Sequence, residues 1–238
     1  MLPLHKKYIM SIIAIIPARG GSKRIPKKNI KLFLSKPVIA YAIEAVIESK
    51  LFDEVMVSTD DAEIAEIAQQ YGAKIPFLRS EATSNDFAST ADVLIEVLRN
   101  YEKSGQTFDY ACCIYPTAVF VTAEKLQEAF HLLEQKKYLS VFPVMSFNYP
   151  IWRSLKNENG KLSMNYPEYQ NSRSQDLPVA YHDAGQFYFF KPEVLFNEKT
   201  LFTSNSGGIV IDELEGQDID NLTDWVIAEM KYKILFHK

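Results

Sequence analysis

The chain has 238 residues, of which 47% are hydrophobic and 13% aromatic, and 26 Lys and Arg stand against 30 Asp and Glu for a formal net charge of −4. That composition excludes a disordered chain, and the acidic balance argues against nucleic acid or an anionic membrane as the main partner. No apolar run approaches the ~18 residues of a membrane span, and the length suits one large domain, or one with an insertion, that buries roughly three quarters of its unfolded surface.

Residues 1–7 read as a loose extension without an assignable role. Lys6, Lys7 and the apolar stretch Tyr8 to Ile16 imitate a secretory signal, but the run ends at Pro17 and Arg19 with no small-x-small cleavage site. A cytoplasmic location is the expectation. A strand at 12–16 then opens into a loop where Gly20 and Gly21 allow close backbone approach and Arg19, Lys23, Arg24, Lys27 and Lys28 supply charge. Consecutive amides in such a loop form an anion-binding nest. The spacing fits neither a Walker A loop nor a dinucleotide fingerprint, and Pro26 blocks an immediate helix. At the carboxyl end of a first strand, where open α/β sheets bind ligands, the loop reads as a phosphate site.

Beyond it, helices at 37–49, 61–71, 89–103 and 122–136 alternate with strands at 54–58, 74–77, 109–115 and 140–144. Asp61 has the position of an N-cap, Ile64, Ala65, Ile67, Ala68 and Tyr71 follow helical spacing, and Gly72 marks the stop. The polar stretch Arg79 to Thr90 feeds the third helix, with Ser89 or Thr90 as its N-cap. Cys112 and Cys113 lie in an apolar run without metal-ligand spacing and read as core thiols. From Ser146 to Asp183 the rhythm gives way to Pro, Asn, Tyr and Ser, a length that compact domains keep only for a use. Strand-like runs resume at 184–191 and 208–212, and 222–236 closes the chain as an amphipathic helix. The expected fold is α/β, a doubly wound, mainly parallel sheet of the Rossmann-like kind. Residues 8–145 and 184–238 form its catalytic domain, and 146–183 form an inserted arm.

Asp218-Ile219-Asp220 sets two carboxylates at i and i+2, so an extended backbone points both to one side. Magnesium favours such a pair when phosphate oxygens and water complete its shell. His182, between Tyr181 and Asp183, reads as a structural hydrogen-bonder, and His5, His131 and His237 as peripheral.

The run Pro17-Ala-Arg-Gly-Gly-Ser-Lys23, with Lys28 and Asn29, resembles the signature of the cytidylyltransferases that activate nine-carbon acidic sugars, the sialic acid synthetase group. The resemblance extends over nearly the whole chain. It implies a nucleotidyltransferase fold and CTP as co-substrate. Arg19, Gly20, Ser22 and Lys28 would face the triphosphate, Asn29 the base or ribose, and Arg79, Ala88 and Thr90 the cytosine. It also implies Mg2+ or Mn2+ on Asp218 and Asp220, with Arg19, Lys28 and Asp218 carrying the chemistry. Where sialic acid enzymes show Gln-Pro-Thr-Ser-Pro and then Leu-Arg, this chain has Tyr115-Pro-Thr-Ala-Val-Phe120. Asn171 to Pro178 and Tyr181 to Tyr188 instead look like the pseudaminic acid branch of the family. On that likeness the sugar pocket would use Tyr115, Arg153, Arg173, Gln175, Gln186 and Tyr188. Arg173 would clamp the carboxylate, and Arg153 would reach a neighbouring subunit in a homodimer joined through the arm.

The function expected is CMP transfer from CTP to the anomeric hydroxyl of pseudaminic acid, for surface glycan or flagellin glycosylation. The alternatives are a sialic or legionaminic acid synthetase, a sugar transferase using the Asp pair for a nucleotide-sugar donor, and a nucleotide-binding regulator without turnover.

Overall fold

Strand β1 (Ile12–Pro17) carries an apolar run buried on both faces, the mark of a central parallel strand. Its pleat divides the molecule: Ile12, Ala14 and Ile16 enter one core, Ile13 and Ile15 the other. The computed structural model describes residues 10–236, so the readings of residues 1–7, His5 and His237 lie outside the described residues.

After the glycine loop come the short hairpin β2 (Leu32–Phe33) and β3 (Lys36–Pro37), helix α1 (Val38–Ser49), strand β4 (Glu54–Ser58) and helix α2 (Ala62–Gln70). The Asp61 carboxylate caps α2 by accepting the Glu63 and Ile64 amides at 2.8 and 3.1 Å. The expected strand at 74–77 reduces to a single bridge between Met56 and Lys74. Pro76 has no N–H with which to extend the ladder. Helix α3 (Glu81–Ser84) leads into α4 (Thr90–Lys103), whose N-cap is Ser89 in a reciprocal capping box with Asp92. The Thr90 hydroxyl is therefore not the cap.

Strand β5 (Tyr110–Ile114), helix α5 (Ala123–Lys136) and strand β6 (Ser140–Ser146) complete the alternating part. The exposed hairpin β7 (Leu155–Glu158) and β8 (Lys161–Met164) follows. The chain returns through β9 (Tyr181–Asp183), β10 (Phe187–Phe190), α6 (Pro192–Glu198), β11 (Ser206–Val210) and α7 (Leu222–Phe236). The main sheet has the order β11-β6-β10-β5-β1-β4. β1 is parallel to β4 and β5, and β6 is parallel to β11, while β10 runs antiparallel between β5 and β6. Helices α1, α2 and α5 cover one face and α4 and α6 the other, which is the doubly wound arrangement expected.

Two features position the site. The reversed β10 brings its amino end beside the carboxyl end of β5, where the Tyr115 amide donates to the Gln186 carbonyl at 2.8 Å. A third core, formed by Ile25, Phe33, Tyr41, Phe120, Ile219 and Trp225 among others, ties the glycine loop and the Asp-Ile-Asp segment to α7. Helix α7 departs from the amphipathic expectation. It buries Trp225 and Ala228, yet Leu222, Val226, Met230 and Ile234 face outward, because its apolar residues lie all round the helix. In the arm, Trp152 packs on Tyr166 and Tyr169 with ring centroids 5.2 and 5.5 Å apart, so these aromatics partly cover one another.

Candidate active site

The glycine loop bends back on the start of α2. A Cβ on Gly20 would stand 2.7 Å from the Asp61 carboxylate, and the Gly20 amide donates to Asp60 Oδ1 at 2.9 Å. Gly20, read from the sequence as a phosphate contact, therefore has its amide engaged by Asp60, and its lack of a side chain serves close packing. Asn29 is buried and donates its amide to the Arg19 carbonyl at 2.9 Å, which fixes the turn. Lys28 reaches across to the other side of the site: its ammonium donates to the Ile219 carbonyl at 2.7 Å and lies 3.9 Å from Asp220 Oδ1. Burial pulls the Lys28 pKa below its ordinary value, against the opposing pull of Asp220 and Asp218.

These residues wall a cleft of about 470 Å³. Arg19, Ser22, Lys23, Arg24, Lys28 and Asn29 line one side, Asp218 and Asp220 another, and Tyr115, Pro116 and Thr117 a third. Ile219 is fully buried between the two aspartates, the apolar anchor that the D-x-D spacing predicts. Burial, then the neighbouring Asp220, raises the Asp218 pKa, while Arg24 donates to Asp220 Oδ1 at 2.8 Å. A cation beside Asp218 would relieve that crowding of negative charge. Among the described residues no group of three or more His, Cys, Asp or Glu forms a metal cage. The donor set is thus two carboxylates on an open wall, which fits a hard cation that takes its other ligands from phosphate and water.

A smaller compartment of about 210 Å³ shares Pro17, Arg19, Asp86 and Tyr115 with the cleft and adds Arg79, Ala88 and Thr90. The three residues assigned to cytosine by resemblance therefore converge. Arg79 is buried and holds the end of β4, donating to Ser58 Oγ at 3.1 Å and to the Ser58 carbonyl at 2.7 Å. The Ala88 amide donates to Asn85 Oδ1 at 3.0 Å. The Thr90 hydroxyl lies 3.3 Å from the Tyr115 hydroxyl. Tyr115, expected in the sugar pocket, thus stands on the wall between the cleft and this compartment.

Asp86 was not singled out by sequence reasoning. Its two oxygens accept from Arg19 and Lys23, so one carboxylate closes on two of the loop's cations and is itself held below its ordinary pKa, first by Lys23 and then by Arg19. The signal was an acid inside the polar run 79–90, but only the fold brings it opposite a loop more than sixty residues earlier.

A second cleft, of about 520 Å³, lies between the root of the arm and α7 and meets the first at Asp218. Asn148, Tyr149, His182, Asp183, Glu213 and Lys231 also line it. Asp183 is fixed by the Gly185 amide at 3.0 Å and by the Tyr188 hydroxyl. Tyr188 is buried, lines neither cleft and serves as the prop of Asp183. Gln186 is also buried. Its amide nitrogen donates to the Glu215 carbonyl at 2.6 Å, and its Oε1 is the buried side-chain oxygen left without a partner among the described residues. His182 packs on Phe147 at 4.9 Å, and its Nδ1 lies 2.9 Å from the Asp183 carbonyl, in keeping with a structural role. Cys112 and Cys113 are buried core thiols, as expected, with pKa values raised by that burial.

The remaining sugar-pocket residues are not brought together with these. Arg173 is exposed and grips Asp176 through Nε and Nη2 at 2.7 and 3.1 Å. Arg153 donates to the Ser172 carbonyl, and Gln175 is exposed. None of the three lines either cleft.

Residues 13–212 match the family model described as Cytidylyltransferase. The chain belongs to the cytidylyltransferase family. The match takes in the glycine loop and stops before Asp218, and full-length relatives extend it. A pseudaminic acid cytidylyltransferase of Campylobacter jejuni is 42% identical over 226 residues, covering 94% of this chain and 97% of that protein. A CMP-N,N'-diacetyllegionaminic acid synthase of Legionella pneumophila is 31% identical, covering 92% and 95%. Among solved structures, CMP:2-keto-3-deoxy-manno-octonic acid synthetase complexed with CTP superposes with a TM-score of 0.68 at 17% identity, over 94% of this chain and 99% of that one. That likeness speaks to the fold, and it agrees with the doubly wound sheet of this cytidylyltransferase. Among the described residues no helix is long and apolar enough to cross a membrane.

Proposed function

We propose that this cytidylyltransferase transfers CMP from CTP to the anomeric hydroxyl of pseudaminic acid, giving CMP-pseudaminic acid and pyrophosphate for surface glycan or flagellin glycosylation. The observation that carries the reading is the position of Asp218 on the wall common to both clefts. A donor and an acceptor bound in adjoining clefts must meet at that residue. The triphosphate lies along Arg19, Ser22 and Lys28, the base enters the compartment of Arg79, Ala88 and Thr90, and the sugar occupies the second cleft. An O–P bond forms between the sugar oxygen and the α-phosphorus as the bond to the leaving pyrophosphate breaks, and the hydroxyl proton passes to the Asp218 carboxylate or to solvent. Such chemistry needs mainly alignment and charge neutralisation.

Arg19 and Lys28 offset charge on the phosphates, and Asp218 orients the attacking hydroxyl. Magnesium or manganese on Asp218 and Asp220, when bound, neutralises phosphate oxygens and acidifies the hydroxyl. The 42% identity to a pseudaminic acid enzyme favours that sugar over the legionaminic acid named for the 31% relative. The exposed Arg153, Arg173 and Gln175, standing apart from this chain's clefts, support an arm (146–183) that joins a homodimer and offers them to the partner's sugar, while 8–145 and 184–238 form the catalytic domain. A cytoplasmic location follows from the use of CTP. The test is to supply purified protein with CTP, magnesium and a panel of nonulosonic acids and to detect products by mass. CMP-pseudaminic acid with stoichiometric pyrophosphate supports the reading, and preferential formation of CMP-legionaminic or CMP-sialic acid overturns the sugar assignment.

A further inference from the structure

The second cleft presents an electrostatic problem to an acidic acceptor. Asp183, Glu213 and Asp218 line it, and Lys231 is the only Lys or Arg among the described residues that do. In a nonulosonic acid the carboxylate sits on the carbon that bears the anomeric hydroxyl. If that hydroxyl is to reach the region of Asp218, the carboxylate must follow it into a cleft with three carboxylates of its own. Uncompensated like charges at short range oppose binding, so the cleft needs a fixed cation.

Lys231 has the geometry for it. It rises from α7, and its ammonium donates to the carbonyls of Glu213 at 2.9 Å and Gly216 at 2.8 Å, both in the segment that leads into Asp218. An ammonium has three donors, so one N–H stays uncommitted by these bonds in a cleft that contains Asp218. The two carbonyl bonds hold the long side chain in one place, which removes much of the entropy cost of ordering a lysine on binding. Burial lowers the pKa of Lys231 ahead of the opposing pull of Glu213, so its charge is poorly solvated and gains from an anionic partner. Arg173, to which the family resemblance gives the carboxylate, is closed on Asp176 outside this chain's clefts.

We propose that Lys231 supplies, from within the same chain, the positive charge that receives the acceptor's carboxylate, while bracing the segment that carries Asp218. The proposal rests on the reading of this protein as a transferase acting on an acidic sugar. The test compares wild type, Lys231→Met and Lys231→Arg with CTP, magnesium and either pseudaminic acid or its C1 carboxamide, recording KM for each substrate and thermal melting. Lys231→Met should raise KM for the acid by about ten- to hundredfold, the loss of a charge-assisted hydrogen bond, with KM for CTP unchanged. On the carboxamide the loss should be no more than a few-fold, the share of the brace, and Lys231→Arg should recover most of the acid's KM. Lys231→Gln, which keeps two N–H donors for the carbonyl brace, serves if Lys231→Met does not fold. An equal loss on acid and carboxamide would reduce Lys231 to a brace and overturn the proposal, as would an unchanged KM for the acid. If wild type makes no CMP-sugar from any acidic sugar, the functional reading falls first and takes the proposal with it.

Discussion

Replacing Lys28 with Met removes one charge where the glycine loop touches the Asp-Ile-Asp segment, and the structure separates its effect on folding from its effect on catalysis. The ammonium donates to the Ile219 carbonyl at 2.7 Å, a bond from a charged donor worth ~1.5–3 kcal/mol. Against that, burial outweighs Asp220 and Asp218 in setting the Lys28 pKa, so the fold holds the charged form at a cost. A depressed lysine pKa means that the charged side chain is less favourable in the folded protein than in the unfolded chain, and Met escapes that penalty. The two effects oppose each other, and melting should move little. Activity has no such compensation: if the triphosphate lies along the glycine loop as proposed, Lys28 faces it and should contribute ~2–4 kcal/mol to the transition state. At about 1.36 kcal/mol per decade that is a loss of about 30- to 900-fold in kcat/KM for CTP. Pyrophosphate release measured beside differential scanning fluorimetry decides the matter. A large drop in melting temperature with unchanged kcat/KM per folded molecule would refute the reasoning and leave Lys28 as a brace.

Asp86→Asn should free Arg19 and Lys23 from their carboxylate and tighten CTP binding, most visibly at low salt, and calorimetry showing weaker binding counts against that. Tyr115→Phe, which removes the hydroxyl facing Thr90, should raise KM for CTP by about fivefold while leaving the sugar KM nearly unchanged, the size of a neutral hydrogen bond. A larger change in the sugar KM would return Tyr115 to the sugar pocket. If the arm serves a partner's site, mixing inactive Arg173→Ala and Asp218→Asn proteins under conditions of subunit exchange should restore turnover, whereas a fully active monomer denies the shared site.

Much of the frame was legible because it depends on local rules. Asp61 caps α2 by the hydrogen bonds its position implies, the apolar periodicity of α5 becomes its buried face, and Ile219 anchors two flanking carboxylates. The features that escaped are set by tertiary contact. Nothing in Phe187 to Phe190 announces an antiparallel strand, since a strand buried on both faces reads the same in either direction. Asp86 and Lys231 look like ordinary surface charges in one dimension, and become site residues only when the loop between α3 and α4 and helix α7 bring them to the clefts. The glycine loop shows the converse: the sequence located it, while the structure packs Gly20 against Asp61, pairs Lys27 with Glu63 and leaves Arg19, Lys23, Arg24 and Lys28 on the cleft.

The central claim is that Asp218 joins a nucleotide cleft to an acceptor cleft, and one variant measured two ways tests it most directly. In Asp218→Asn, CTP affinity by calorimetry should stay within a few-fold of wild type, because Arg19, Lys28 and the Arg79 compartment are untouched. Formation of CMP-pseudaminic acid by the same preparation should fall by orders of magnitude, since the lost group acts on the attacking oxygen in the transition state. Turnover close to that of wild type would contradict the account.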